Sequence, residues 1–188
     1  MRVKLYQLIC SLVGLVFVCS SHANVTFEVC FDFGCKSRGQ VSLSAGEWSS
    51  VSTILNAATA VGERKRIKRA IAWMEILAGQ YTPTHRDLGG NLLSLNSDVQ
   101  VGKLSGQLDC IDESINTKRY LDLFVQAGLL KFHAVTGRVY RRSFLTQHWA
   151  VQIEEVRTGR RFVVDSWFED NGKLPVLVSS ETWHDLSL

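Results

Sequence analysis

Three side chains in this 188-residue chain are of the types that nucleophilic acyl transfer needs: a thiol at Cys110, an imidazole at His148 and a carboxylate at Asp165. A thiol attacks a carbonyl well only after losing its proton, so it needs a base, and the base needs a group to orient it. In Asp109-Cys110-Ile111-Asp112-Glu113, Asp109 is placed to cap a helix and Asp112 to complete a carboxylate capping box. Cys110 then falls in the first turn, where the helix dipole and unpaired N–H groups favour a thiolate and the two neighbouring carboxylates oppose it. His148 opens an alternating run, and Asp165 is an acid inside the apolar run Phe162-Val163-Val164. A buried acid is costly without a partner, and an imidazole N–H on the next strand would supply one. Each residue also has a purely structural reading: Cys110 as a small buried hydrophobe, His148 as a sheet histidine, Asp165 as a salt-bridged acid.

A helix followed by strands must position these groups. From Cys110, the residues Ile111, Ile115, Tyr120, Leu123, Phe124 and Ala127 trace one apolar helical face, and Gly128 ends it. Strands are expected over residues 131–141, 148–156 and 161–168, the last two joined by Arg157-Thr158-Gly159-Arg160. A two-residue turn at Thr158-Gly159 would set Asp165 opposite Gln152 and His148 opposite Glu169. Parity keeps His148 and Asp165 on one face, but a bulge or shifted turn is needed to join them, with Glu169 the reserve acid. Upstream, residues 24–43 alternate as a hairpin or arm, and residues 50–77 carry helical periodicity divided at Gly62. Residues 79–108 are rich in Gly, Ser, Asn and Asp and read as a loop lining a site. Helices followed by an antiparallel sheet make an α+β domain.

The cysteine count bears on the thiol. Residues 1–23 carry Arg2 and Lys4, an apolar run from Leu8 to Val18, and small residues at Ser21 and Ala23, the pattern of a secretory signal peptide. Cleavage after Ala23 would remove Cys10 and Cys19, leaving a single domain over residues 24–188 with three cysteines. Cys30 and Cys35 flank the turn-permitting Gly34 and form the natural disulfide pair. Zinc is the competing explanation, without a second ligand pair at the right spacing. Cys110 is then unpaired in an exported, periplasmic or secreted chain, where a free thiol calls for a reason.

The pattern resembles the transglutaminase-like superfamily of papain-type thiol enzymes. A cysteine starting a helix matches Asp109-Cys110-Ile111-Asp112-Glu113, a Gly-Leu helix end matches Gly128-Leu129, and Val135-Thr136-Gly137 follows. His-Trp at a strand start matches His148-Trp149, and Val-Asp at a strand end matches Val164-Asp165. The resemblance covers roughly residues 106–168 and is of the kind seen in bacterial transglutaminase-like cysteine peptidases of the periplasm. It implies a papain-like core, with the cysteine-bearing helix packed on an antiparallel sheet, and a Cys110-His148-Asp165 triad that hydrolyses or transfers an amide or peptide acyl group. An oxyanion hole would use the backbone N–H of Cys110, with Gln107 as the second donor and Asn91 or Gln80 behind it. No cofactor is called for; calcium near Asp109, Asp112 and Glu113 is an alternative use of acids that capping already explains at the first two.

Composition limits the partners. Loss of Arg2 and Lys4 from 21 basic residues leaves 19 against 18 acidic ones, so the mature chain is nearly neutral and shows no nucleic-acid signature. The apolar run near the N-terminus is short of a bilayer span, so no stable membrane insertion is expected after cleavage. The expected partner is a protein or peptide substrate, with a cell-envelope component among the candidates. A rival reading is a non-catalytic envelope-binding module, using the basic run Arg64-Lys65-Arg66 or the aromatic residues Trp48, Trp73, Trp149, Trp167 and Trp183.

Overall fold

The computed structural model describes residues 24–90, 105–142 and 147–186. These residues form two antiparallel sheets and four helices, an α+β arrangement. The first sheet pairs β1 (Val25–Phe31) with β2 (Ser37–Leu43). In the turn between them Asp32, Phe33, Gly34 and Cys35 all take left-handed backbone. For the three that are not glycine this costs roughly 1 kcal/mol or more each, and the Cys30–Cys35 disulfide closes around the turn.

Helix α1 (Ala45–Ile54) starts at a capping box made by Ser44 and Glu47. Helix α2 (Ala60–Tyr81) starts at Thr59, whose hydroxyl accepts the Gly62 N–H at 3.0 Å. The expected division at Gly62 is therefore corrected: Gly62 lies inside the first turn of α2, and the break falls just before the Thr59 cap. A side-chain cap outweighed the helix penalty of glycine. The expected loop also begins later than Gly79, since α2 continues to Tyr81 and a 3-10 turn spans Pro83–Arg86. Asn91 and the rest of that loop through residue 104 lie outside the described residues, as do the leader residues with Cys10 and Cys19.

Helix α3 (Cys110–Gln126) begins at the expected residue. It ends at Gly128 (φ 66°), where Gly128 N–H donates to Val125 O and Leu129 N–H to Phe124 O, each at 2.9 Å. Its later turns bury Tyr120, Leu121 and Phe124 in the main core, with Tyr120 edge-on to Phe27. The first turns differ from the expected apolar face. Asp112, Glu113, Asn116 and Thr117 are buried there, while Ile111 and Ile115 are only partly covered. The disulfide turn sets this preference: Cys30 N–H donates to Asn116 Oδ1 at 2.7 Å and Cys35 N–H to Asp112 Oδ1 at 2.5 Å. Backbone groups brought inside require polar partners.

The second sheet has the order β3 (His133–Arg142), β4 (Gln147–Glu155), β5 (Arg161–Asp165) and β6 (Val176–Ser179), followed by α4 (Ser180–Asp185). Strand β6 and helix α4 are additions to the sequence expectation. Val151, Ile153, Phe162 and Val164 join the main core beneath α1, α2 and α3, and Ala150, Val163 and Trp183 form a second cluster. The basic run on α2 is split. Arg64 turns inward to Glu155 at 2.9 Å and over the Phe162 ring, while Lys65, Arg66 and Arg69 face solvent.

Candidate active site

The β4–β5 connection settles the spacing of His148 and Asp165. Glu155 N–H donates to Arg160 O, and Gly159 N–H to Glu155 O, so the turn is wider than Thr158-Gly159 alone. Gln152 consequently faces Val163, where the two-residue turn would have set it opposite Asp165. This shift of two residues draws Asp165 along β5 toward His148, and His148 Nε2 lies 2.6 Å from Asp165 Oδ2. Both side chains are buried. Glu169, the reserve acid, is exposed in the turn after β5, with its N–H donated to Ser166 O.

Asp165 is surrounded by donors. The indole N–H of Trp183 reaches the same Oδ2 at 2.7 Å, and the backbone N–H of Trp167 reaches Oδ1 at 3.3 Å. An oxygen that accepts from Trp183 acts as an acceptor toward His148 as well, which puts the imidazole proton on Nε2 and leaves Nδ1 as the basic nitrogen. Trp167, Phe168 and Trp183 surround the imidazole, tilted or edge-on, at centroid distances of 4.8, 5.4 and 5.9 Å. Aromatic walls and the carboxylate together fix the ring plane.

Cys110 sits on the first turn of α3 as expected. Asp109 Oδ1 accepts the N–H groups of Ile111 at 3.0 Å and Asp112 at 2.9 Å, and Asp112 Oδ2 returns to Asp109 N–H at 3.4 Å. The paired register of β4 and β5 runs from Glu154 back only to Val151, and the Cys110 thiol reaches the start of β4 beyond it. Its Sγ donates to Gln147 O at 3.8 Å, and Trp149 N–H points at it, so sulfur touches the backbone on both sides of His148. The thiol is the free cysteine among the described residues and is partly exposed. Burial pushes its pKa above the ordinary thiol value, Trp149 N–H pulls it down, Asp109 and Asp165 push it up, and its own N–H pulls it down again. The expected lowering by the helix terminus is therefore outweighed by desolvation.

The remaining expected residues have separate roles. Gln107 is buried, with its side-chain N–H donated to Arg86 O at 2.5 Å and its Oε1 accepting from Leu88 N–H, so it ties the preceding loop together. Gln80 is exposed on α2. His85 is held at Gly79 O and Thr82 O, and His133 is buried between Glu63 and Arg64. Asp112 lies near the Cys30 and Cys35 sulfurs, but these are joined to each other and are not thiolate ligands. Glu113 lies in a buried group with Glu75 and Asp87, and burial raises the pKa of all three.

Two neighbours of the site are not assigned to it from the sequence, where Trp183 counts only among aromatic residues for binding. Trp183 stands near the C-terminus in Glu181-Thr182-Trp183, and only tertiary packing takes its indole to Asp165. Arg138 lies over the Trp149 ring at 4.6 Å, in the field of Cys110 and Asp109. The Val135-Thr136-Gly137 segment, whose glycine marks a bulge, was the available signal for the second. Set against protein-family models, curated proteins and solved structures, the chain matches none of them.

Proposed function

We propose that this chain is an exported thiol enzyme with a papain-like core, in which Cys110, His148 and Asp165 hydrolyse or transfer an amide or peptide acyl group. The observation that carries the reading is the His148–Asp165 bond of 2.6 Å beside a free thiol that lies against the backbone on both sides of His148. A cysteine bridge between Cys30 and Cys35 fits an oxidising compartment, and no described helix is long and apolar enough to cross a membrane.

Because burial holds the thiol up, Cys110 rests protonated and His148 acts as a true base. Nδ1 takes the thiol proton as sulfur attacks the carbonyl carbon, and Asp165 stabilises the imidazolium through Nε2–H. The oxyanion forms against the Cys110 N–H at the start of α3. His148 then returns its proton to the leaving amine; water or an amine next attacks the thioester while His148 removes its proton, the C–S bond breaks, and that proton passes to the departing Cys110 sulfur.

Alkylation of the folded, non-reduced protein by iodoacetamide near neutral pH tests this. Rapid modification at Cys110 that slows in His148→Ala supports the enzyme. A thiol that resists until denaturation leaves the envelope-binding reading in its place.

A further inference from the structure

We propose that Arg138 forms a carboxylate-binding subsite beside Cys110, which selects acyl substrates that carry an acidic group close to the scissile carbonyl. The inference rests on the thiol-enzyme reading above and adds a substrate class to it.

The subsite is built by a bulge. Between Val135 and Gly137 the pairing of β3 with β4 shifts by one residue, and Gly137 takes φ 135°, a region open to glycine. A bulge re-aims the side chain that follows it. That side chain is Arg138, opposite Val151, and it extends toward the first turns of α3. Its Nε–H donates to Ser114 Oγ at 3.0 Å, and Ser114 Oγ in turn donates to Cys110 O at 2.6 Å. Its guanidinium lies on the Trp149 ring. Two anchors, a hydroxyl and an aromatic face, thus hold the cation within a helical turn of the nucleophile.

What sets this cation apart is that no carboxylate of the described residues is ion-paired with it. Arg64, Arg160 and Arg161 each have a carboxylate within 3.2 Å. Among the described residues Arg138 has no ion pair within 4.0 Å, although it is partly buried. The charged and titratable groups facing it are Cys110 and Asp109, and Asp109, whose Oδ1 accepts the Ile111 and Asp112 N–H groups, forms no ion pair with it. With Nε engaged, the terminal nitrogens present the edge that pairs two N–H groups with two carboxylate oxygens. A partly desolvated, pre-oriented guanidinium next to a nucleophile is suited to an anion that arrives with the substrate.

Iodoacetate and iodoacetamide test the subsite because they alkylate sulfur by the same displacement and differ in one carboxylate. The ratio of their rates cancels any effect of Arg138 on the thiol itself. For the native protein the expected ratio exceeds that of the urea-unfolded chain, with saturation in iodoacetate, and Arg138→Gln lowers it by about tenfold while Arg138→Lys retains part. Sodium acetate should also slow iodoacetamide more than sodium chloride of equal ionic strength. N-acetylaspartic acid α-amide, which keeps only its side-chain carboxylate, and N-acetylalanine, which has only a chain-terminal one, then distinguish the two kinds of carboxylate as protectants. An unchanged ratio in a folded Arg138→Gln variant that is still alkylated overturns the subsite alone. Should that variant not fold, absence of acetate protection in the natural protein overturns it. Failure of both reagents to modify native Cys110 overturns the thiol-enzyme reading together with the subsite.

Discussion

His148 Nε2 and Asp165 Oδ2 are 2.6 Å apart because the β4–β5 turn is two residues wider in register than Thr158-Gly159 alone would make it. The same oxygen accepts the indole N–H of Trp183, so the acid that orients the imidazole is itself held from a separate element. The orientation of the imidazole thus depends on three segments that are distant in sequence.

Replacing His148 by Ala should slow alkylation of Cys110 near neutral pH by roughly tenfold or more, because the raised thiol loses its proton acceptor. Against pH, the rate in this variant should climb only in the range above the ordinary thiol value. A rate equal to that of the natural protein throughout would remove His148 from the mechanism.

Asp165→Asn preserves size but removes the charge that accepts from Nε2 and Trp183. Peptide or amide turnover, once a substrate is in hand, should fall by roughly 10²–10⁴ with the fold intact by circular dichroism. Turnover within about twofold of the natural level would contradict an orienting role.

Trp183→Phe keeps a ring against His148 and deletes a single buried donor. Unfolding in urea should show a loss of about 1–2 kcal/mol, and Cys110 alkylation should slow several-fold as the imidazole loosens. Stability without a change in reactivity would make Trp183 a core residue only.

Acid–base titration of stability follows from the buried carboxyls. Burial raises Glu75 to about 8, and Asp87 and Asp112 to about 7, from ordinary carboxylate values. The folded chain therefore keeps protons that the unfolded chain has released. This contribution is fully present below the ordinary carboxylate range and is lost as pH rises through 7 to 8. The urea midpoint should be higher near about pH 5.5 than near about pH 8.5, and Glu75→Gln should flatten the difference. A midpoint that rises with pH would show that the cluster is ionised and satisfied in another way.

The disulfide turn supports the start of α3 through Cys35 N–H on Asp112 and through Asp32, whose Oδ1 accepts Gly106 N–H at 2.8 Å. The double variant Cys30→Ser, Cys35→Ser should lose about 2 kcal/mol of stability. It should also expose the segment before Cys110 to limited proteolysis. Proteolysis confined to the N-terminal hairpin would show that the turn stabilises only its own strand pair.

The sequence by itself determined the local features: the start of α3 at Cys110, the cap by Asp109, the stop at Gly128, the Cys30–Cys35 pair, and the parity that puts His148 and Asp165 on one face. These depend on neighbours a few residues apart, through capping, turn chemistry and the two-residue period of a strand. Tertiary structure alone decided the rest. The width of the β4–β5 turn set which acid meets His148, and α4 brought Trp183 to Asp165. Docking of the disulfide turn made Asp112 and Asn116 inward-facing on a helix whose apolar spacing favoured Ile111 and Ile115. Even the thiol follows this division, since the helix terminus is written in the sequence while the burial that outweighs it comes from chain packed against Cys110 from elsewhere. Long-range register and desolvation are properties of what packs against a residue, and no local pattern encodes them.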